Sequence, residues 1–171
     1  MTRVAKYSLA LTCMMPFAVA AHPVDDKALP TCKVLEAAYT AAIGSAVPAF
    51  PRDIRPAWRT LLPSKFKSPY PTTHALTAGE VRDLIANEPA YQFEKYRPAC
   101  PFTATPSSKA DADGHEEFIS FTSPIYSSNH RLALVEISFE HKTGGFGYGS
   151  LCVVRWAEAG WTARCGPSWI T

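Results

Sequence analysis

The chain has 171 residues, of which 47% are hydrophobic, and its 17 Lys and Arg against 15 Asp and Glu give a formal net charge of +2. Two of the basic residues, Arg3 and Lys6, precede a predicted signal-peptide cleavage site, so 15 basic and 15 acidic residues would remain after cleavage. A neutral chain lacks the positive field that drives binding to phosphate backbones, so we do not expect nucleic acid as a partner.

Residues 1–21 have the pattern of a cleaved signal peptide. Arg3 and Lys6 precede 13 mostly apolar residues, Tyr7 to Val19, and small residues close the run. This run is shorter than the about 20 residues that span a bilayer, and no later segment approaches that length. We therefore expect residues 22–171 to form one exported domain, periplasmic or secreted, without an integral membrane segment.

Four cysteines follow the predicted signal peptide: Cys32, Cys100, Cys152 and Cys165. An even number in an exported domain predicts two disulfides. Residues 153–156 and 161–164 are predicted to be strands joined by four residues, which places Cys152 directly opposite Cys165, at a separation that suits a disulfide. The pairs Cys152–Cys165 and Cys32–Cys100 are therefore favoured.

The first half of the domain, residues 31–104, is predicted to contain helices and a proline-rich stretch. Thr31 can cap a helix that runs to about Ile43. A second helix begins after the capping box formed by Thr77 and Glu80, and it extends to about residue 86 or 87.

The second half is predicted to be β-rich. Residues 105–117 are polar and typical of a loop, and residues 118–171 contain four runs rich in β-branched and aromatic residues: 118–122, 132–140, 150–156 and 161–165. Helices followed by antiparallel strands predict an α+β fold, with the helices packed on a four-stranded antiparallel meander stabilised by disulfides.

Part of this meander carries a recognisable pattern. Phe121–Ser127, Ala133–Val135, the Gly145-x-Gly147-x-Gly149 spacing and Trp161 occur in that order. This pattern resembles a C-terminal meander of uncharacterised secreted bacterial proteins and covers about the last third of the chain. The resemblance implies an exported location and a sheet topology, and it carries no catalytic residues.

The glycine-rich segment 144–149 superficially matches a phosphate-binding loop. It joins two predicted antiparallel strands, and no helix or lysine follows directly, so a twisted hairpin is the favoured interpretation. Phe146 and Tyr148, with Gly145 and Gly147 beside them, are then candidates for binding a protein partner, because aromatic residues are concentrated in interface hot spots.

A second candidate surface is the basic run that surrounds Trp58. It contains five basic residues and Asp53, a local net charge of +4: Arg52, Arg55, Arg59, Lys65 and Lys67. Such a run is usually a solvated face, but interleaved aromatic residues favour an interaction with an acidic partner or an anionic envelope surface.

The sequence predicts no metal or cofactor site. The histidines at 74, 115, 130 and 141 do not form H-E-x-x-H, and the acidic segment 111–117 lacks the spacing of an EF-hand loop. His22 is an exception if cleavage follows Ala21, because its α-amine and imidazole would then resemble the N-terminal copper ligand of secreted copper oxygenases. Cleavage after Ala20 would remove that arrangement.

Sequence signatures of catalysis are also missing. The chain has no G-x-S-x-G, and an oxidising compartment disfavours a reduced cysteine nucleophile. Glu136 and Glu140 share one strand face and are predicted to face solvent. These features favour a non-enzymatic exported binding protein, such as an inhibitor or immunity-type protein that binds another envelope or secreted protein. The alternatives are a small-ligand carrier and a secreted enzyme, either a carboxylate hydrolase or a copper protein using His22.

Overall fold

The structure is a computed structural model that describes residues 28–51, 53–65, 76–100, 105–106, 117–142 and 144–171. The predicted signal peptide and most of the predicted loop lie outside these described residues. His22, His74 and His115 lie outside them as well. None of the described helices is long and apolar enough to cross a membrane.

Two α-helices are present. Helix α1 spans Ala28–Ala42, so it begins three residues earlier than the predicted cap, and Thr31 lies within its first turn. The reason is that Pro30 is compatible with the first turn of a helix, where its missing N–H has no acceptor. Helix α2 spans Ala78–Asn87 and has the predicted capping box. Short 3-10 helices cover Pro63–Lys65 and Glu88–Tyr91.

Eight strands are described: β1 Ala49–Phe50, β2 Ile54–Arg55, β3 Thr105–Pro106, β4 Glu117–Phe121, β5 Ile125–Tyr126, β6 Leu132–His141, β7 Gly147–Ala157 and β8 Gly160–Ile170. Strands β1 and β3 form a parallel pair. The other six form a mixed sheet in the order β2-β4-β6-β7-β8, with β5 also paired to β6.

The α+β class is as predicted, but the sheet is not a four-stranded antiparallel meander. Strand β2 adds to one edge by pairing in parallel with β4. It was missed because it has two residues and lies between prolines, too short for a periodic pattern. Strand β5 also has only two residues. Residues 122–124 separate it from β4, although both strands pair with β6. The Thr122 hydroxyl maintains the ladder there by accepting a hydrogen bond of 2.9 Å from the Glu136 N–H.

The register between β7 and β8 is the predicted one, with Trp156 opposite Trp161 and Cys152 opposite Cys165. Disulfides join Cys152 to Cys165 and Cys32 to Cys100, with Cα–Cα distances of 4.0 and 5.5 Å. An irregularity between Gly149 and Ser150 shifts the register, so that Gly149 lies opposite Trp169. Strand β8 therefore continues to Ile170, beyond its predicted end.

The two faces of the sheet are covered differently. On the helix face, α1 packs on β6, β7 and β8, and the core residues include Leu35, Tyr39, Phe121, Val135, Phe139 and Val154. The opposite face, the cleft face, has a smaller aliphatic cluster made by Leu61, Leu84, Leu132, Leu134, Leu151 and Val153. The alternation along β6 places Glu136 and Ser138 on the cleft face, beyond this cluster.

Candidate functional site

The uncovered part of the cleft face contains a hollow of about 550 Å³ beside the β6–β7 turn. We call it the hairpin cleft, and its main side chains are Arg55, Trp58, Phe118, Glu140, Phe146 and Trp169. The ends of β4, β6, β7 and β8 contribute to it, together with the segment that follows β2.

The β6–β7 turn fixes the position of Phe146. Gly144 and Gly145 have φ values of +78° and +88°, which favour glycine. The Gly144 N–H donates a hydrogen bond to the His141 carbonyl at 3.0 Å, and the His141 N–H donates to the Phe146 carbonyl at 3.1 Å. The Phe146 side chain is 44% exposed, so this hairpin presents an aromatic ring to solvent from a hydrogen-bonded turn.

The next two glycines make room for an indole. Trp169 lies across Gly147 and Gly149, and a Cβ atom at Gly149 would overlap the indole nitrogen. At Gly147 it would lie 3.2 Å from both the Trp169 ring and the Phe139 carbonyl oxygen. The Gly-x-Gly spacing is thus explained by close aromatic packing on a strand, which agrees with the interpretation that rejects a phosphate-binding loop.

A buried carboxylate holds Trp169 in place. Glu136 is only 4% exposed, so the prediction that it faces solvent is wrong. Its Oε1 accepts a hydrogen bond of 3.3 Å from the Trp169 indole N–H and forms an ion pair with Arg59. Sequence alone could not reveal this partner, because Arg59 lies 77 residues away in the proline-rich stretch.

Arg59 also joins the two tryptophans of the cleft. Its guanidinium carbon lies 4.8 Å from the centre of the Trp58 ring and 4.7 Å from that of Trp169. The two indoles meet edge to face at 5.6 Å and 85°. Cation–π and edge-to-face contacts of this kind hold aromatic rings in one arrangement, so Trp58 stays positioned although it is 59% exposed.

The rim carries charges of both signs, because Glu140 lines the hollow together with the basic residues. Lys142 forms an ion pair of 3.0 Å with Asp53, and Arg59 is paired with Glu136. Arg55 lies 3.0 Å above the centre of the Phe118 ring, and it has no carboxylate partner within the described part of the chain. Arg55 is therefore the cation at this rim that can take a carboxylate from another molecule.

No protein-family model, curated protein or solved structure matches this chain.

The resemblance to secreted bacterial meanders therefore stays a prediction.

The structure brings three of the four predicted contact residues to the cleft, namely Gly145, Phe146 and Gly147. Tyr148 points to the helix face instead, where its ring stacks on Phe139 at 4.7 Å and 6°. Burial raises the pKa of its phenol well above the usual value, and the nearby Glu117 carboxylate adds to the rise. Tyr148 is partly buried and packs on the helix face, and the Phe146 ring lies 6.2 Å from the Tyr148 ring.

The remaining candidate residues are not brought together. His130 and His141 lie at opposite ends of β6, and the described residues contain no group of three or more His, Cys, Asp or Glu that could hold a metal ion. All four cysteines outside the predicted signal are disulfide-bonded. The sequence analysis did not identify Trp169 as a cleft residue. Once the register of β8 is known, its position opposite Gly149 indicates that the indole packs over the glycines of β7.

Proposed function

We propose that this protein is an exported, non-enzymatic binding protein that captures another envelope or secreted protein through the hairpin cleft. The observation that carries this proposal is the convergence of Trp58, Phe146 and Trp169 with Arg55 around one hollow. Tryptophan, other aromatic residues and arginine are the residue types enriched in interface hot spots. An inhibitor or immunity-type role would use such a surface to mask the partner.

The cleft is organised before a partner arrives. The Arg59–Glu136 pair and the two glycines hold Trp169, and the glycine turn holds Phe146. Each side chain that is already fixed saves about 0.5–1.5 kcal/mol of ordering cost on binding. A pre-formed aromatic surface therefore favours tight binding from a small contact area.

The chemistry of the cleft indicates the kind of partner. Trp58 and Trp169 form an aromatic surface with Phe146 at the rim of the same hollow, and Arg55 provides a positive charge at its edge. The complementary ligand is an exposed protein segment with an apolar side chain next to a carboxylate. Charge pairing at a rim mainly raises association rate and specificity, while the buried aromatic contacts determine affinity.

A carboxylate hydrolase has less support. Residues advance about 3.3 Å each along a strand, so Glu136 and Glu140 are about 13 Å apart, beyond the about 5–9.5 Å used by paired glycosidase carboxylates. The Glu136 carboxylate is also committed to Arg59 and Trp169. The alternative of a small-ligand carrier has an observation of its own, at the other end of the sheet.

The proposal is tested by capture from the native envelope fraction, followed by affinity measurement with the purified partner. Trp58→Ala and Phe146→Ala are expected to weaken binding at least about 10-fold each, as hot-spot truncations do. Trp156→Ala is the matched control, because Trp156 is a similarly exposed tryptophan, 45% exposed, far from the cleft. A stoichiometric partner whose affinity is unchanged by both cleft variants would overturn the proposal, and so would the absence of any stoichiometric partner.

A further inference from the structure

We propose that a second site, at the end of the sheet opposite the hairpin cleft, binds a small planar ring compound that carries an acidic group. The site is a hollow of about 540 Å³ between the start of α1 and the β7–β8 turn. We call it the aromatic pocket, and it is formed by Tyr91, Tyr126, Trp156 and Trp161, with Lys33 and His130 beside them. Its volume lies within the range of about 300–1,000 Å³ that is usual for small-molecule sites.

Four aromatic side chains line this pocket at angles to one another. Trp156 and Trp161 meet at 5.5 Å and 69°, Tyr126 and Trp161 at 6.4 Å and 70°, and Tyr91 and Tyr126 at 5.5 Å and 54°. None of these pairs is stacked, so the rings leave more of their faces uncovered than parallel stacking would. A flat ring is the shape that contacts such faces with the largest area.

The polar groups of the pocket are few and ordered. The Tyr126 hydroxyl donates a hydrogen bond of 3.1 Å to the Thr31 hydroxyl oxygen, which fixes the ring against α1. Burial raises the pKa of Tyr126 to about 12, so this phenol stays neutral at physiological pH. An apolar wall with a small number of placed polar groups is typical of a ligand site.

The charged lining residues decide which ring compound fits. Lys33 supplies an amine and His130 an imidazole, and no carboxylate lines the pocket among the described residues. Lys33 forms an exposed pair with Glu36 at 3.0 Å, and such exposed i,i+3 pairs are worth only a few tenths of a kcal/mol. The amine can therefore turn to a ligand anion at little cost.

The backbone at His130 supports a functional reading of the same pocket. His130 has a φ of +55°, a conformation that L-residues other than glycine adopt rarely. The turn is held because the His130 N–H donates to the Ser127 carbonyl at 2.9 Å, and it places the imidazole 6.0 Å from the Tyr126 ring. Unfavourable backbone geometry of this kind is concentrated at ligand sites.

The test uses three probes that share one ring system and differ in charge: 2-naphthoate, 2-naphthalenemethanol and 2-naphthylmethylammonium. Binding to the full mature chain is measured by calorimetry. We expect 2-naphthoate to bind at least about 5-fold more tightly than the cationic probe, since an ion pair with a partly exposed amine is worth about 1 kcal/mol. Absence of binding, or a preference for the cationic probe, would overturn the proposal. Aromatic pockets can also bind sugars, so binding of the glycan chitotriose more tightly than 2-naphthoate would overturn it as well.

Variants locate the site and separate it from the hairpin cleft. Trp156→Ala is expected to weaken 2-naphthoate binding about 10-fold through the lost ring contact. Lys33→Gln should remove the preference for the anion while the neutral probe binds as before. Trp58→Ala is the matched control and should change none of the probe affinities. A loss caused by Trp58→Ala, or no loss caused by Trp156→Ala, would contradict the assignment, whatever the outcome of partner capture at the cleft.

Discussion

The two faces of the sheet use aromatic residues in opposite ways. On the helix face Tyr39, Phe121 and Phe139 are at most 1% exposed and pack on one another with centroid distances of 6.4 Å. On the cleft face Trp58 is 59% exposed, and the ion pair between the partly exposed Arg59 and the buried Glu136 holds the Trp169 indole beside it. The first arrangement removes apolar area from water, whereas the second keeps it in contact with water.

This difference separates stability from binding. Burial contributes about 25 cal/mol per Å² of apolar area, so the larger apolar cluster on the helix face contributes more of this stabilisation than the cluster on the cleft face. On the cleft face Glu136, Arg59 and two glycines occupy positions where aliphatic side chains could pack. These residues hold the Trp169 indole in a fixed position. Substitutions on the two faces should therefore have separable effects.

The largest expected effect is on the helix face. Phe139→Ala should lower the free energy of unfolding by about 3–5 kcal/mol, because Phe139 is buried between Tyr39 and Tyr148 and its removal leaves a cavity. Trp58→Ala on the cleft face should cost only about 0.5–1.5 kcal/mol, because it removes one edge-to-face contact and one cation–π contact of an exposed ring. Urea unfolding at neutral pH measures both, and equal losses would refute the division between the two faces.

A smaller effect is expected from two identical substitutions in different places. Gly149→Ala should cost about 1–3 kcal/mol, because the new methyl group overlaps the Trp169 indole. Gly79→Ala in α2 should instead stabilise by up to about 1 kcal/mol, since Ala has the higher helix propensity and nothing lies closer than 3.9 Å.

Urea unfolding gives the two signs, and tryptophan fluorescence should shift for Gly149→Ala alone. Stabilisation by both substitutions would show that Trp169 moves aside without cost, and the cleft would then be less rigid than we infer.

Sequence reasoning succeeded where a local rule determines the structure. The short connection between β7 and β8, residues 158–159, sets their register, and this register alone places Cys152 opposite Cys165. The capping box at Thr77 and Glu80 is equally local, and α2 begins directly after Thr77. Both signals lie within a few residues, so one chain suffices to identify them.

The cleft could be predicted only in part, because its contacts join distant segments. Phe146 and its glycines were identified from composition, but the pairing of Arg59 with Glu136 spans 77 residues. Glu136 alternates with apolar neighbours, which usually indicates a solvent-facing position, and here Arg59 and Trp169 cover that position instead. A two-residue parallel strand such as β2 likewise has no period to detect.

The smallest expected effect depends on pH and involves the contact between α2 and the cleft face. The Glu80 carboxylate receives hydrogen bonds from Arg155 on β7 and from the Thr77 backbone, at distances that include 3.1 and 2.7 Å. The hydrogen bond from Arg155 is the main cause that lowers the pKa of Glu80 to about 2. Because the folded pKa lies below the unfolded value of 4.5, the stabilisation is complete above pH 4.5 and is lost as the pH falls toward about 2.

Solvent screens this partly exposed pair, so the loss should be less than about 1 kcal/mol. Glu80→Gln should lower stability at pH 6 and flatten the decline between pH 4.5 and about 2, the window set by the shifted pKa. Glu94→Gln, at an exposed position beyond the end of α2, is the control and should leave the decline as it is in the parent chain. Urea midpoints at intervals of half a pH unit measure the slope. An identical slope in the parent chain and in Glu80→Gln would mean that α2 is held on the cleft face by its aliphatic contacts alone.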